Sequence, residues 1–304
     1  MTDPFRIEGP ACISFSGGRT SAYMLRRILD ACGGGLLPDV HAVFTNTGRE
    51  MEPTYDFVRE CSERWGVLVV WAELSPTAVS LKPENPRERF VIVDHATAAR
   101  NGEPLTYVWE ARGSLSNVRQ RSCTQEAKLS VMKHYMLANG YDHWDNVIGL
   151  RADEPQRVMG ARKNAESQRW SSVAPLYAAG VRKADVLAWW AAQPFDLRLA
   201  GPWEGNCDGC FLKKFAHKVR VAEDHPERWA WWVEQERLAK EKWGAASKAL
   251  FRVDHPTTET IARVARQPKL PIAYDSPAAD EEETTPRART DRAPRDPPPP
   301  RRRH

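Results

Sequence analysis

The sequence predicts an α/β protein: a doubly wound, mostly parallel sheet, then a helical C-terminal part, then a disordered tail. Three observations carry that expectation. Between Cys12 and Trp71 short apolar runs alternate with helical patterns in the order β-α-β-α-β, with short links. The first run breaks at a Gly-Gly turn directly before a helix. Beyond Asp275 the chain is rich in Pro and charge without apolar periodicity, a composition that cannot repay the entropy of ordering. A hydrophobic content of 41% is enough for a real core elsewhere.

Taken in order, Cys12, Ile13 and Phe15 read as a buried strand that ends at Ser16-Gly17-Gly18. Ala22, Leu25, Ile28, Leu29 and Cys32 then recur at helical spacing, and Cys32-Gly33-Gly34-Gly35 stops the helix. Val40 to Phe44 reads as the second strand, Glu52 to Trp65 as a helix and Val67 to Trp71 as the third strand. From Ser75 to about Gln120 prolines and charges break the pattern, and only Phe90 to Val93 reads as a strand; a specificity insertion is expected there. Thr124 is the expected N-cap of a helix with Leu129, Met132 and Met136 on its apolar face, and Asp145 to Leu150 is a further strand. Helices are expected at Lys183 to Ala192 and after Cys210, the latter burying Phe211, Phe215, Val219 and Ala222 and exposing Lys213, Lys214, Lys218 and Arg220. Trp189, Trp190, Trp229, Trp231 and Trp232 are expected to pack between elements rather than stack on bases.

A strand, a glycine turn and a helix start point backbone N–H groups and a positive dipole end at an anion. Gly17 and Gly18 put no Cβ between backbone and phosphate and can take positive φ. Ser16, Thr20 and Ser21 add hydroxyls, and Arg19 adds a forked charge. The lysine and spacing of GxxxxGK(S/T) are missing, and so is GxGxxG; the plain alternative is an ordinary Gly-rich turn. SFSGGRTS resembles the SGGx(D/T)S pyrophosphate loop of the adenine nucleotide alpha-hydrolase-like (PP-loop) superfamily. Its members include ATP pyrophosphatases, tRNA thiolation enzymes and phosphoadenosine phosphosulfate (PAPS) reductases. VFTNTGREMEPTYDFV resembles the second-strand (D/N)TG turn and helix of the PAPS reductase family, GLRADEPQR its G(I/L)Rxx(E/D)xxR loop, and Ala174-Pro175-Leu176 with the following helix its PL segment. The resemblance covers about Pro10 to Leu212. It implies a Rossmann-like fold and an adenine nucleotide, ATP or PAPS, held by Ser16, Gly17, Gly18, Arg19, Thr20 and Ser21 with Thr47 and Gly48. Arg151 and Arg157 would face its anionic groups.

Six cysteines in a chain read as cytoplasmic suit buried thiols or metal ligands better than disulfides. Asn206-Cys207-Asp208-Gly209-Cys210 is a CxxC at a loop-to-helix boundary, compatible by itself with zinc, a redox dithiol or an Fe–S site. A thioredoxin-type dithiol lacks its preceding strand. Zinc lacks two ligands, since there is no second CxxC and no well-spaced His pair. Cys123 precedes a helix, with Arg119 and Arg121 upstream, a setting that favours its thiolate. Cys12, Cys32 and Cys61 read as small buried hydrophobes. In sulfonucleotide reductases and related tRNA and DNA sulfur-transfer enzymes, mid-chain cysteines join a later CxxC around a [4Fe-4S] cluster. The resemblance implies that role for Cys123, Cys207 and Cys210. Where the four-ligand version has a Cys pair this chain has Ser122-Cys123, which leaves either an iron with an open position or a fourth ligand that the sequence does not identify.

PAPS reductases attack with a thiolate from a C-terminal Glu-Cys-Gly segment, and this sequence has no Cys after Cys210. The resemblance therefore speaks for the nucleotide site more than for the reductase reaction. The leading expectation is an enzyme that cleaves ATP between the α and β phosphates, with Mg2+, and adenylates an acceptor for sulfur transfer. Cys123, Arg151 and Arg157 are its expected catalytic residues, with a sulfur donor and a nucleic-acid acceptor as expected partners. The alternatives are PAPS or APS reduction with a thiol donated by a partner such as thioredoxin, and a non-catalytic nucleotide-binding module acting with nucleic acid.

Residues 1–200 are the expected nucleotide-binding domain, 201–266 a CxxC-bearing helical extension packed on it, and 275–304 the tail. The formal charge is +4, and the tail, with seven acids and seven Arg, contributes none of it. That balance suits an anionic ligand without demanding nucleic acid. No apolar run reaches the ~18 residues of a membrane span and the N-terminus has no signal-like apolar stretch; a cytoplasmic protein without membrane contact is expected.

Overall fold

In the computed structural model, which describes residues 3–77 and 85–267, six strands form one mixed sheet flanked by helices. The strands are β1 (Ala11–Ser14), β2 (Val40–Thr45), β3 (Val69–Leu74), β4 (Phe90–Val93), β5 (Trp144–Val147) and β6 (Trp170–Val173), in the spatial order β4-β3-β2-β1-β5-β6. β1 pairs parallel with β2 on one side, Ala11 opposite Val40, and with β5 on the other, Ala11 opposite Asp145. β2–β3 and β5–β6 are also parallel; β4 alone runs antiparallel, as an edge strand on β3.

Alternation along β1 explains the layers. Ala11, Ile13 and Phe15 enter one core with α1 (Arg19–Ala31), α2 (Glu52–Trp65) and α7 (Lys183–Ala191). Cys12 points the other way, as the two-residue period of a strand requires. It joins Val43, Ala72 and Leu74 in a second core with α3 (Glu103–Arg112) and α4 (Ser130–Ala138). Because β1 is covered on both faces and paired on both edges, it is apolar at three successive positions. On the edge strand β4, Ile92 is exposed.

Residues 201–266 do not form a separate core. Their helices are α8 (Phe215–Asp224), α9 (Pro226–Trp243), α10 (Ala246–Ala249) and α11 (Thr258–Ala265), and Val221, Trp229, Trp232 and Ile261 pack into the same cluster as Cys12 and Val43. The sequence expectation for the segment after the CxxC is corrected in part. Phe215 is partly exposed, whereas Lys213 and Lys218 are buried. Each lysine ammonium replaces water with backbone carbonyls: Lys213 Nζ donates to Trp203 O at 2.6 Å and to Gly205 O, and Lys218 Nζ donates to Phe211 O at 3.2 Å.

Two further differences have local causes. β3 starts at Val69 because Gly66, in the left-handed region at φ 60°, caps α2 and Val67 N still bonds back to Ser62 O. Thr124 is not a helix N-cap, because residues Cys123–Leu129 form a π-helical turn running straight into α4. Trp190, Trp229 and Trp232 are buried, as their packing role requires. The tail expected from Asp275 onward lies outside the described residues. Among the described residues, no helix is long and apolar enough to cross a membrane.

Candidate functional site at the carboxyl edge of the sheet

Parallel strands release their following loops at one edge, and β1 is where the order divides, with β2 to β4 on one side and β5 and β6 on the other. The loop after β1 is tied from within. Ser16 N donates to Ser21 Oγ at 3.1 Å, and Ser21 Oγ donates to Gly18 O at 3.0 Å. Gly17 sits at φ 75° with its α-carbon against α2, where a Cβ would come within 2.7 Å of Thr54 Cγ2. Gly18 instead faces open space: a Cβ there would meet only Ser16 Oγ, at 3.7 Å. Gly18 is the N-cap of α1, and no side chain caps the N–H groups of its first turn. Gly17 and Ser21 thus shape the loop, whereas Ser16, Gly18 and Thr20 lie on its accessible side.

Arg19 departs from the sequence expectation of an anion donor. Its guanidinium bonds Asp196 in a fork, Nε to Oδ1 at 2.7 Å and Nη2 to Oδ2 at 2.8 Å, and Nη2 also donates to Leu197 O. A carboxylate already occupies the fork. Arg151 reaches the same loop, and its guanidinium is likewise paired with carboxylates. It is buried, donates to Thr20 Oγ1 at 3.1 Å and to Asp153 Oδ1 at 3.0 Å, and pairs with Glu154. Gly149 lets this loop press against the first turn of α1, a Cβ there coming 3.4 Å from Ser21 Cα. Arg157 is exposed and pairs with Glu154 from the first turn of α5 (Pro155–Ala165).

The loop after β2 turns elsewhere. Asn46 Oδ1 accepts from Gly48 N at 2.9 Å, an Asx turn, and Asn46 Nδ2 donates to Glu73 Oε1 and Ala99 O. Thr47 and Gly48, expected beside the nucleotide, are buried. Thr47 Oγ1 donates to Glu50 Oε1 at 2.8 Å and lies 3.1 Å from Cys207 Sγ. The next residue clamps the CxxC loop. Arg49 bonds the fully buried Asp208 through Nη2 at 2.6 Å, Arg228 Nε reaches the same carboxylate at 2.7 Å, and Trp232 Nε1 donates to it at 2.6 Å. TGRE and CDGC, 159 positions apart at the Arg49–Asp208 bond, therefore form one structural unit.

Cys123, Cys207 and Cys210 all face the Lys128 ammonium electrostatically, and Glu50 Oε1 lies 4.0 Å from it. Burial works against that ammonium, but the charge of Cys207, Cys123 and Cys210 in thiolate form and of Glu50 outweighs it and raises its pKa. Burial, then the Glu50 carboxylate, pushes the Cys207 thiol well up. Burial and Cys210 likewise raise Cys123, which corrects the expectation of a favoured thiolate: desolvation outweighs any helix dipole here. All six cysteines are free. No three ligand atoms of the thiol pocket converge within 4.8 Å; among the described residues the one such group is Glu52, Asp56 and His95. There Arg100 already pairs with Glu52 and Arg59 with Asp56. An open cleft lined by Lys133, His134, Arg169 and Trp170 holds none of the expected site residues.

Over 218 residues the chain is 34% identical to the uncharacterized nin region protein ORF290 of Escherichia phage lambda, covering 69% of this chain and 68% of that protein. The chain belongs to the ORF290 family. Beyond this family it is 23% identical over 266 residues to the uncharacterized protein MJ0066 of Methanocaldococcus jannaschii, covering 82% of this chain but 47% of that protein, about half its length. No family model matches the chain, and no solved structure matches it. Sequence reasoning missed Asn46, Arg49, Glu50, Lys128 and Asp208. The signal available was charge beside motif residues: an Arg-Glu pair after TG, and an Asp between two cysteines.

Proposed function

We propose that this ORF290-family protein is an enzyme that binds an adenine nucleotide at the carboxyl end of β1 and couples it to sulfur chemistry at Cys123, Cys207 and Cys210. In this reading the sheet is a doubly wound, Rossmann-like one of the adenine nucleotide alpha-hydrolase-like kind, akin to PAPS reductases. Its strand order, with β1 at the point of reversal, supports that assignment. The observation that carries the reading is the contact between Thr47 Oγ1 and Cys207 Sγ, 3.1 Å. It sets a thiol pocket on the same sheet edge as an uncapped, glycine-led helix start.

The roles follow from the placements. The backbone of Gly17 and Gly18 and the first-turn N–H groups of α1 hold phosphate oxygens. Arg151 stands against the loop through Thr20 Oγ1 and would reach a phosphate by exchanging its contact with Asp153 or Glu154; a donor so placed lowers a barrier by about 3 kcal/mol where charge builds between α and β phosphates. Arg157 is free to swing from Glu154 toward a phosphate, whereas Arg19 anchors the loop to residues 196–197. Mg2+ would accompany the nucleotide.

The donor set of Cys123, Cys207 and Cys210 suits an iron–sulfur cluster better than a structural zinc, which takes four protein ligands; among the described residues no three Cys, His or carboxylate ligand atoms there lie within 4.8 Å of one another. A [4Fe-4S] cluster takes each thiolate on a different iron. When bound, the cluster would supply iron able to hold or activate sulfur.

The test is protein purified without oxygen. The expected result is about four irons per chain, lost in Cys123→Ala, Cys207→Ala or Cys210→Ala, together with pyrophosphate release from ATP. Sulfite release from PAPS with a thiol donor would replace the ATP reaction with reduction. Absence of both nucleotide binding and iron would overturn the reading.

A further inference from the structure

The open cleft between α4 and the start of β6 has a volume of about 460 Å3, and Arg112, Gln125, Lys133, His134, Arg169 and Trp170 are among its lining. The lining runs from Gln125 in the π-helical turn to Leu137 in α4, roughly 15–18 Å along the helix. Positive charge dominates it. Arg112 and the fully buried Arg89 share the one carboxylate of Glu126. Lys133 pairs with no carboxylate among the described residues. Arg169 pairs with Asp142, but the two side chains are 50% and 91% exposed, so water screens the pair and another anion can replace it. His134 adds no charge, because burial, with Arg89 and Lys133 nearby, lowers its pKa. Its Nδ1–H donates to Ser130 O at 2.7 Å, which leaves Nε2 as an acceptor. Trp170 supplies an aromatic ring, half-buried and backed by the buried Trp144, with centroids 5.6 Å apart and planes tilted by 31°.

We propose that this cleft binds single-stranded nucleic acid, with an unpaired base stacked on Trp170 and phosphates on Lys133, Arg169 and Arg112. Basic side chains spread along a channel with an aromatic ring among them suit a single strand, since every base has a π-face and phosphates recur along the chain. A duplex hides its base faces, and a free mononucleotide would engage only part of so long a run. His134 Nε2 offers an acceptor for a base N–H among these donors. The π-helical turn joins the cleft to the thiols: Cys123 and Lys128 of that turn face the other thiols, and Gln125 and Leu129 of the same turn line the cleft. Strand binding belongs to the cleft alone; that the strand is the sulfur acceptor rests on the function proposed above.

The test is fluorescence anisotropy of a labelled oligothymidylate on full-length protein, between about 50 and 200 mM salt. Lys133→Gln combined with Arg169→Gln should weaken binding and lower the slope of log affinity against log salt by about 1.4, two phosphates at about 0.7 each. Trp170→Leu should weaken binding at least about fivefold with that slope unchanged. The surface pair decides the question if Trp170→Leu does not fold. Both variants should bind ATP as the unsubstituted protein does, read by equilibrium dialysis, and Gly18→Val should keep its strand binding, so failure at the loop after β1 is told apart from failure at the cleft. Strand affinity unchanged in both cleft variants would put the binding elsewhere, at Arg301-Arg302-Arg303 for instance, and overturn the proposal. So would a duplex of the same strand that binds as tightly, or thymidine monophosphate that displaces the strand at equal nucleotide concentration.

Discussion

Asp208 offers the sharpest test of how the CxxC loop is built. Its carboxylate is fully buried and holds Arg49, Arg228, Trp232 Nε1 and its neighbour Gly209 N at once. Asp208→Asn keeps the size, but puts an amide N–H where two guanidiniums donate and leaves Arg49 buried with its charge uncompensated. Removing one partner of a buried pair costs about 3–5 kcal/mol. For a chain of this size that lowers the melting temperature by roughly 6–20 °C. Urea unfolding should give the free energy directly, and Cys207 and Cys210 should react faster with a thiol reagent in the folded variant. Arg49→Met combined with Asp208→Asn should be less damaging than the sum of the two single changes, because the stranded cation is gone. A loss below about 1 kcal/mol for Asp208→Asn, with unchanged thiol reactivity, would refute the clamp.

Gly18→Val should abolish nucleotide binding, read by equilibrium dialysis, with stability nearly unchanged, since a Cβ there meets only Ser16 Oγ at 3.7 Å. Gly17→Val, by contrast, should lose stability as well: φ is 75° and the new Cβ would lie 2.7 Å from Thr54 Cγ2, a strain of at least about 1–3 kcal/mol. Equal stability of the two variants would remove the distinction between a shaping and a binding glycine. Burial, then Arg252, lowers the Lys218 pKa from 10.5 to about 8. The unfolded chain therefore holds this proton over pH 8 to 10.5 when the folded protein does not, so this group makes stability rise with pH across that window. Lys218→Met should flatten that rise by up to about 3 kcal/mol; urea titrations at pH 7.5 and 10 that keep the same increment would count against it.

What was legible in the sequence was local. The first two strands and α2 follow from apolar runs and Gly punctuation, and the loop after β1 follows from one glycine pair. The strand β6 was not legible because Trp-Ser-Ser-Val carries no apolar run; its pairing to β5 makes it a strand. The helix α3 was hidden among prolines and charges. Lys213 and Lys218 were misplaced for a related reason. Helical spacing puts them on the polar side, and only the folded loop reveals the carbonyls of Trp203, Gly205 and Phe211 that accept from them. Asp208 finds its partners Arg49, Arg228 and Trp232 far along the chain. No window of neighbouring residues contains that information.

Those long-range partners also explain why two loops of different character sit on one helix. Gly17 packs against Thr54 near the start of α2, and Thr47, Arg49 and Glu50 lead directly into that start. Tyr55, one residue further along α2, donates to Asn46 Oδ1 at 3.1 Å and to Glu50 Oε2, fixing the second loop from the same helix. From the far side, Trp190 Nε1 donates to Arg19 O at 2.9 Å, and Arg19 is itself locked to Asp196. The backbone that would meet a phosphate is thus immobilised by residues that need not touch it, so its ordering cost falls on folding rather than on binding. The thiol pocket is held the same way, by Asp208 in the middle of its loop and by buried lysines on the flanking carbonyls. With α2 common to both supports, a shift of its first turn would move the loop after β1 and the Thr47–Glu50 loop together.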